Sequence, residues 1–412
     1  MAKIAPFKGL RPVQEYAQEV ATLPYDVVNV AEARAFKDEE HNFYHVTRSE
    51  IDLPENVDVH SQEVYDKAKE NLERFIEEGV LIQDQEPCYY IYRLVMDGRA
   101  QTGLICGSSV DDYNTGVIKK HEFTRPVKEN DRINHIKTTR AQTGVVFLAY
   151  REQENVRKTI EDWKDNHEAD YNFMTEDNIG HTLWVVNDKE TVDKITDLFD
   201  QYVPATYIAD GHHRAASGAK VRAAMEAEGI ADDRSNYFIT CIFPDSELLI
   251  IDYNRVVTDL HGMSAGEFIE KLKGDFEVSE PLGKVAVKPA QLHEIGMYID
   301  GNWYRLTAKP GTYNDEDPIG VLDVTVLQNN VLSKLLDIND PRTDSRVDFV
   351  GGIRGLGELE KRVDSGDMAA AFALYPVTIQ QLFNIADSGN VMPPKSTWFE
   401  PKTRDGLVVK LI

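Results

Sequence analysis

The apolar and polar residues of this chain alternate between the spacing of helices and the spacing of strands. Residues 61–79 carry apolar side chains three and four positions apart, which predicts an amphipathic helix ended by Gly79. Residues 88–96 and 101–110 are apolar runs around Asp97-Gly98, a dipeptide typical of a tight hairpin. The chain therefore opens with irregular segments, a helix and a hairpin.

The middle of the chain mixes strands and helices without a regular strand–helix–strand repeat. We predict strands over 144–150 and 181–186 and helices over 131–143, 152–169 and 190–199. This mixture favours an α+β fold with a mixed sheet over a doubly wound one.

Beyond this region, a strand is predicted to pass into a helix near residue 210. Residues 237–243 and 248–252 are then predicted to form a hairpin that turns at Pro244-Asp245, and a short strand is predicted over 285–288. We divide the chain into an N-terminal catalytic region over 1–258, a small α+β insertion over 259–320 and a C-terminal α/β domain over 321–412 that completes the site.

Composition excludes several classes of function. The chain of 412 residues has a formal net charge of -25, which repels a phosphate backbone, so no nucleic-acid partner is expected. No apolar run reaches about 18 residues and no apolar signal core opens the chain, so no membrane association is expected. Three scattered cysteines, Cys88, Cys106 and Cys241, agree with a cytoplasmic protein.

The densest polar chemistry follows the strand that ends near residue 210. Residues 210–214 read Asp-Gly-His-His-Arg, between an apolar run and a helix start rich in small residues. A helix N-terminus presents unpaired N–H groups and a positive dipole end, which suits phosphate. Gly211 allows close approach of a ligand, and Arg214 provides a planar fork for an anion. The alternative is that Asp210 only caps the helix and both histidines are ordinary surface residues.

Two further polar segments have the chemistry of anion sites. Residues 116–132 concentrate lysine and arginine in an otherwise acidic chain, although such a run is often only a solvated helix face. Residues 391–402 contain Pro-Pro-Lys-Ser-Thr, in which Lys395, Ser396 and Thr397 are suitable phosphate ligands. The terminal segment is not a Walker loop, because the preceding glycines are missing.

Together these segments resemble a known family. The run Lys-Lys-His-Glu-Phe-Thr over 119–124 and the terminal run over 393–402 resemble members of the DUF1015 group. His121-Glu122, the stretch 210–214 and the loop 394–397 are also similar, in the same order, to motifs of the archaeal free-serine kinase. That kinase belongs to the ParB/sulfiredoxin-like superfamily, so the resemblance implies a ParB/sulfiredoxin-like mixed-sheet core.

The resemblance also implies a reaction: a nucleotide, ATP or ADP, donates phosphate to the hydroxyl of free L-serine or a similar small hydroxy compound. Glu122, His121 and Asp210 would carry catalysis, and Asp210 would also hold Mg²⁺. Arg125 or Arg132 would bind the serine carboxylate, and a homodimer is left open. The implied phosphate ligands are Gly211, His212, His213, Arg214, Lys395, Ser396 and Thr397.

Two alternatives stay open at this point. A metal-dependent hydrolase could gather Zn²⁺ or Mn²⁺ ligands from the cluster of His121, Glu122, Asp210, His212 and His213. A nucleotide-regulated binding protein is the other alternative, although the acidic charge and the lack of a helix-turn-helix signal disfavour DNA binding.

Overall fold

The computed structural model describes the whole chain, Met1–Ile412, which divides into two compact units. The first unit comprises Met1–Leu248 together with Pro401–Ile412, and the second comprises Leu249–Glu400. No helix combines the length and the apolar character needed to cross a membrane.

The first unit is built around a large mixed sheet. Its strands are β1 (Ile4–Ala5), β2 (Gly9–Pro12), β3 (Leu81–Gln83), β4 (Tyr89–Met96), β5 (Arg99–Ser109), β6 (Ile118–Lys119), β7 (Ala141–Gln142), β8 (Val146–Tyr150), β9 (Tyr171–Met174), β10 (Gly180–Val186), β11 (Thr206–Asp210), β12 (Tyr237–Pro244) and, after the second unit, β21 (Val409–Leu411). Nine of them form one sheet in the order β6-β11-β8-β12-β5-β4-β10-β9, with β1 also paired to β5. The remaining four form a second sheet in the order β3-β2-β21-β7.

Nine α-helices accompany these sheets. They are α1 (Ala17–Val20), α2 (Val30–Arg34), α3 (Tyr44–Thr47), α4 (Gln62–Glu77), α5 (Val110–Thr115), α6 (Pro126–Thr139), α7 (Glu154–Asn166), α8 (Lys189–Tyr202) and α9 (His212–Glu228). The main core lies between the large sheet and these helices, where apolar residues of β4, β5, β8 and β12 meet those of α7 and α8. Burial of this apolar surface is the main stabilising contribution in the first unit.

The second unit has a sheet of its own. Its strands are β13 (Leu249–Ile251), β14 (Tyr253–Val257), β15 (Phe276–Val278), β16 (Glu294–Ile299), β17 (Asn302–Ala308), β18 (Val347–Gly351), β19 (Ala370–Leu374) and β20 (Trp398–Glu400), and its helices are α10 (Ala265–Leu272), α11 (Asp323–Leu327), α12 (Leu356–Asp364) and α13 (Ile379–Asp387). Six strands pair in the order β15-β17-β16-β19-β14-β18, and β13 pairs with β20. Trp303 and Tyr298 are fully buried in the core of this unit.

The predicted mixed α+β architecture is confirmed, and several of its elements match the sequence pattern. Helix α4 buries Val64, Ala68, Leu72 and Phe75 on one face. Strands β4 and β5 turn at Asp97 and Gly98, where both residues adopt positive φ angles of 51° and 76°. Local periodicity and turn chemistry were sufficient to identify these elements.

The predicted hairpin at Pro244-Asp245 is wrong. Strand β12 pairs with β5 and β8 instead, whereas β13 pairs with β20. A turn signal between two apolar runs therefore did not fix the pairing, because each run found longer-range partners. The strand predicted over 285–288 is also absent, and α6 begins at Pro126 rather than near residue 131.

The domain boundaries also differ from the prediction. Strand β14 lies inside the predicted region 1–258 but pairs with β18 and β19 of the second unit. The predicted insertion is part of the same six-stranded sheet, and residues 401–412 return to the first unit, where β21 pairs with β2 and β7. The prediction followed chain order, whereas strand pairing joins segments far apart in the sequence.

Candidate functional site

The junction between β11 and α9 is a tight turn at the end of a buried strand. Gly211 adopts φ 91° and ψ 30°, the left-handed region that other residues rarely occupy. A Cβ atom at this position would lie 3.0 Å from Nε of Arg214. Glycine is therefore required here both by the backbone angle and by the neighbouring side chain.

Helix α9 begins directly after this turn and runs for 17 residues. The first N–H groups of such a helix have no carbonyl partner within it, and the helix dipole adds partial positive charge at this end. A helix N-terminus of this kind has the general character of an anion site, and phosphate binding here stays a prediction.

Strand pairing brings a second polar segment to the same place. Strand β6 runs parallel to β11, with Ile118 opposite Thr206 and Lys119 opposite Tyr207. Since the carboxyl ends of parallel neighbours lie at one edge of a sheet, the loop over 120–125 emerges beside the start of α9. Segments about ninety residues apart in the chain are thus neighbours.

Glu122 on this loop faces His212 of α9. Its Oε2 lies 3.7 Å from Nδ1 of His212, and its side chain is about half exposed, at 48%. The buried rings of His121 and His212 meet edge to face, with centroids 4.6 Å apart, and Nε2 of His212 accepts the His121 N–H over 3.5 Å. An accessible carboxylate therefore lies beside two histidines at the helix start.

His213 contacts the other end of the same loop. Its Nε2 accepts the backbone N–H of Arg125 over 2.9 Å. Ser217, one turn further along α9, donates to the carbonyl oxygens of His213 and Glu129, and Lys220 forms an ion pair with Glu129. The beginning of α9 is therefore attached both to the loop and to α6.

The Asp210 carboxylate at the end of β11 accepts two hydrogen bonds and lies close to a third, charged group. Its Oδ1 accepts the Gly211 N–H over 2.8 Å, and its Oδ2 lies 3.0 Å from Nζ of Lys402 and 3.7 Å from Nη2 of Arg214. Burial alone would raise the pKa of Asp210, but Lys402 and then Arg214 lower it below its usual range. Asp210 is therefore an ionised carboxylate at neutral pH.

Arg214 is buried, at 7% exposure, and is surrounded by acceptors. It donates to the Val145 carbonyl, and its Nη2 lies 3.6 Å from Asp26 as well as 3.7 Å from Asp210. Burial would lower the pKa of Arg214, whereas Asp26 and Asp210 raise it. Its guanidinium thus contacts Val145 and two carboxylates beside the turn, and its role as a phosphate ligand stays a prediction.

The three histidines of the site are neutral at neutral pH. Burial lowers the pKa of His121 to about 4, against an opposing effect of Asp210. Burial and the neighbouring His121 lower the pKa of His212 well below its usual range, and burial followed by Lys128 lowers that of His213. Each ring can therefore accept a hydrogen bond at one nitrogen and donate at the other.

The two arginines predicted to bind a substrate carboxylate occupy different environments. The side chain of Arg125 is exposed beside the loop. Arg132 is buried at 8% exposure, lies 3.9 Å above the ring of Tyr25 and pairs with Asp131 over 2.7 Å. Only Arg125 presents its side chain to solvent.

The predicted phosphate ligands Lys395, Ser396 and Thr397 belong to the second unit. The loop that contains them is held by Arg255, whose Nη2 donates to the carbonyl oxygens of Pro394 and Lys395 over 3.0 Å each. Lys395 has a positive φ of 56°, and the Ser396 hydroxyl donates to the Pro393 carbonyl over 2.6 Å. The hydroxyl of Ser396 is therefore already used inside the loop.

The residues of the site do not fit a resident metal ion. No group of three or more His, Cys, Asp and Glu side chains is arranged to hold one. The Asp210 carboxylate is bound by Lys402, and Nε2 of both His212 and His213 faces a backbone N–H. Neither a Mg²⁺ ion on Asp210 nor the zinc or manganese cluster of a hydrolase is supported by this donor set.

The comparison with protein families identifies the chain. The family model described as "Protein of unknown function (DUF1015)" matches residues 4–325, more than three quarters of the sequence. The chain belongs to the DUF1015 family. The match spans the loop 120–125 and the β11–α9 junction of this DUF1015 protein, and it ends before the loop of Lys395 and before Lys402.

Solved structures provide distant matches. A free serine kinase variant in complex with AMP matches with a TM-score of 0.37 and 14% identity, over 75% of this chain and 92% of that one. A variant in complex with ADP matches with a TM-score of 0.36 and 15% identity, over 76% and 93%. A conserved hypothetical protein from Pyrococcus furiosus matches with a TM-score of 0.34 and 14% identity, over 75% and 95%. No curated protein matches the sequence.

Sequence reasoning missed several residues that complete the site of this DUF1015 protein. Lys402, the partner of Asp210, stood in the terminal polar run but was not assigned a role. Asp26, the partner of Arg214, follows Tyr25 in an N-terminal segment whose position no local pattern fixes. Asp405 is buried nearby, which raises its pKa to about 7, and Arg214 opposes that rise.

Proposed function

We propose that this DUF1015 protein is a phosphotransferase that moves phosphate from ATP or ADP to the hydroxyl of free L-serine or a similar small hydroxy compound. One observation carries the proposal: the half-exposed Glu122 carboxylate lies 3.7 Å from His212, at the N-terminus of α9. A proton acceptor and a helix start that suits phosphate are therefore adjacent, and both are elements that phosphoryl transfer uses.

The start of α9 supplies the phosphate site in this proposal. Backbone N–H groups after Gly211 and the helix dipole stabilise negative charge without a side-chain rearrangement. Asp210 is neutralised by Lys402 and Arg214, so its charge does not repel an incoming phosphate at full strength. The neutral histidines beside it add no repulsion either.

Glu122 accepts the proton of the substrate hydroxyl. The hydroxyl oxygen forms a bond to the terminal phosphorus, while the bond from that phosphorus to the bridging oxygen breaks. The electron pair of the broken bond leaves with the nucleotide, as ADP from ATP or as AMP from ADP. A positioned carboxylate typically contributes about 100-fold or more to such a step.

Two further assignments rest on chemistry alone. The exposed guanidinium of Arg125 suits the carboxylate of serine, whereas the buried Arg132 is occupied by Tyr25 and Asp131. In the second unit, the cationic loop of Lys395 is a second candidate phosphate ligand. The mechanism has no step that depends on a resident metal ion.

The test uses the full-length protein with a panel of phosphate donors and amino acids, read by mass spectrometry. We expect wild type to form phosphoserine and Glu122→Gln to lose at least about 100-fold of that activity while nucleotide binding survives in calorimetry. Glu77→Gln, an exposed glutamate at the end of α4, is the matched control and should behave as wild type. Normal turnover by Glu122→Gln would refute the role of this carboxylate.

A further inference from the structure

The two consecutive histidines of α9 face opposite ends of the loop that carries Glu122. His212 accepts the N–H of His121 at the start of the loop, over 3.5 Å, and His213 accepts the N–H of Arg125 at its end, over 2.9 Å. The shorter contact has the length of an ordinary hydrogen bond, and the longer one is at the weak limit. Both rings therefore use Nε2 on backbone rather than on solvent.

We infer that His212 and His213 are positioning residues that clamp the loop 121–125 and thereby present Glu122 at the start of α9. This inference deepens the proposed function and rests on it for the role of Glu122. The motif alone suggested that these rings contact phosphate directly. In this inference they act indirectly, by holding the loop.

The loop needs such a clamp because it has no regular structure of its own. Residues 120–125 lie between β6 and α6 without helix or strand, so their N–H groups have no ladder partner. Successive side chains at a helix start diverge by about 100° around the axis, which lets two neighbours reach two separate points. A pair of adjacent histidines is thus suited to hold both ends of one short loop.

The tautomer of each ring follows from these contacts. A neutral ring that accepts at Nε2 carries its proton on Nδ1. In His212 this Nδ1–H faces the Glu122 carboxylate at 3.7 Å, so one ring orients both the loop backbone and the proposed base. A doubly protonated ring could not accept the loop N–H, and burial keeps both rings neutral.

The charged groups around the clamp set its response to acid. Lys128 and Arg125 disfavour protonation of His213, whereas Asp26 and Glu129 favour it. Around His212, the neighbours that disfavour protonation are His121, His213 and Lys120, whereas Asp210 favours it and the Glu122 carboxylate lies 3.7 Å from Nδ1. Since the pKa of both rings lies below its usual value, the clamp should hold at neutral pH and release only in acid.

The test compares two substitutions of His213. His213→Gln places an amide oxygen near the position of Nε2 and keeps an acceptor, whereas His213→Leu removes it. In His213→Leu we expect the Arg125 amide to exchange its hydrogen on the order of tenfold faster. We also expect kcat to fall about 100-fold while the dissociation constant of the nucleotide is unchanged. In His213→Gln, both the exchange rate of the Arg125 amide and kcat should return most of the way to their wild-type values.

Other results would overturn the inference. Equal loss of activity in both variants, or weaker nucleotide binding with unchanged exchange at Arg125, would assign His213 to phosphate binding. Should His213→Leu not fold, the wild-type ring still decides by nitrogen NMR, since a proton on Nε2 at neutral pH excludes the clamp. Suppose that exchange of the Arg125 amide differs between the two variants as expected, but the wild-type protein phosphorylates nothing. The clamp would then stand, and the proposed function would be refuted.

Discussion

The loop over 120–125 in the first unit and the loop over 393–397 in the second are both rich in polar residues, but opposite kinds of group hold them. The first gives its N–H groups to the histidine rings of α9. The second gives its carbonyl oxygens to the guanidinium of Arg255. The first loop is therefore held through its backbone donors and the second through its backbone acceptors.

The two loops therefore also differ in the groups that are not used to hold them in place. In the first loop the amides at both ends are used, and the exposed side chains include those of Glu122, Phe123 and Arg125. In the second loop the carbonyls face a buried cation, which leaves a local positive charge together with Lys395. The first loop is thus suited to take up a proton and the second to attract an anion, although both were predicted as anion-binding segments.

Arg255 offers the largest expected effect in this comparison. It is 2% exposed, it also donates to the Tyr253 carbonyl over 2.6 Å, and burial lowers its pKa to about 9. Arg255→Met should leave the carbonyls of Pro394 and Lys395 without a donor, which costs about 2 to 3 kcal/mol of the second unit's stability. Urea unfolding, with hydrogen exchange read on peptides over 390–400, measures both effects.

The matched control is Arg305→Met, which removes an exposed arginine from β17 of the same unit and should change little. An Arg255→Met protein as stable as wild type, with unchanged exchange in the loop, would mean that Pro393 and Pro394 hold the loop without help. The contrast between the two loops would then not depend on a buried charge.

The sequence allowed the first loop to be located but not its attachment. The polar motif over 210–214, the preceding apolar strand and the following helix are local features, and each formed as predicted. The contact between Glu122 and His212 depends on the parallel pairing of β6 with β11, and β6 has only two residues. No periodicity can be read from so short a strand, so the resemblance to a known family was the only indication of this neighbourhood.

The partners of Asp210 and Arg214 could not be predicted from local sequence patterns for the same reason. Lys402 is nearly two hundred residues from Asp210, and it reaches the site because β21 completes a sheet with β2 and β7. Strand β21 follows a unit of about 150 residues that folds on its own sheet. Long-range pairing of this kind leaves no mark in nearby residues, which is why the sequence did not indicate that residues 401–412 belong with the first unit.

Gly211 provides a smaller and more local test of the first loop. Gly211→Ala places a Cβ atom 3.0 Å from Arg214 in a backbone with φ 91°. Gly229→Ala, at the other end of α9, creates the same kind of backbone strain at φ 70° but meets nothing within 4 Å. We expect about 1 kcal/mol of destabilisation from the strain alone in Gly229→Ala and about 1 kcal/mol more in Gly211→Ala.

Activity should separate these two glycine variants more sharply than stability does. A shift of the helix start moves both histidines and with them Glu122, so Gly211→Ala should lose turnover while Gly229→Ala keeps it. Equal turnover in the two variants would mean that the loop does not depend on the position of the first turn of α9.

Lys402 offers the smallest expected effect, and it acts through pH. Because the folded pKa of Asp210 is lowered, its ionisation contributes stability above the unfolded pKa of about 3.9, and that contribution is lost as pH falls further. Lys402→Met removes the largest favourable cause of that shift. We expect the variant to be about 1 kcal/mol less stable at pH 7, because the pair is partly exposed.

Protonation of the unfolded chain is common to the two proteins, so the difference between them should shrink as pH falls through the folded pKa of Asp210 in the variant, which the loss of Lys402 raises. Unfolding free energies measured at pH 7 and pH 3 give this double difference directly. A Lys402→Met effect that stays constant with pH would mean that the lysine acts through packing of its stem and not through Asp210. Arg214 alone would then keep that carboxylate ionised, and the terminal segment would contribute position rather than charge to the start of α9.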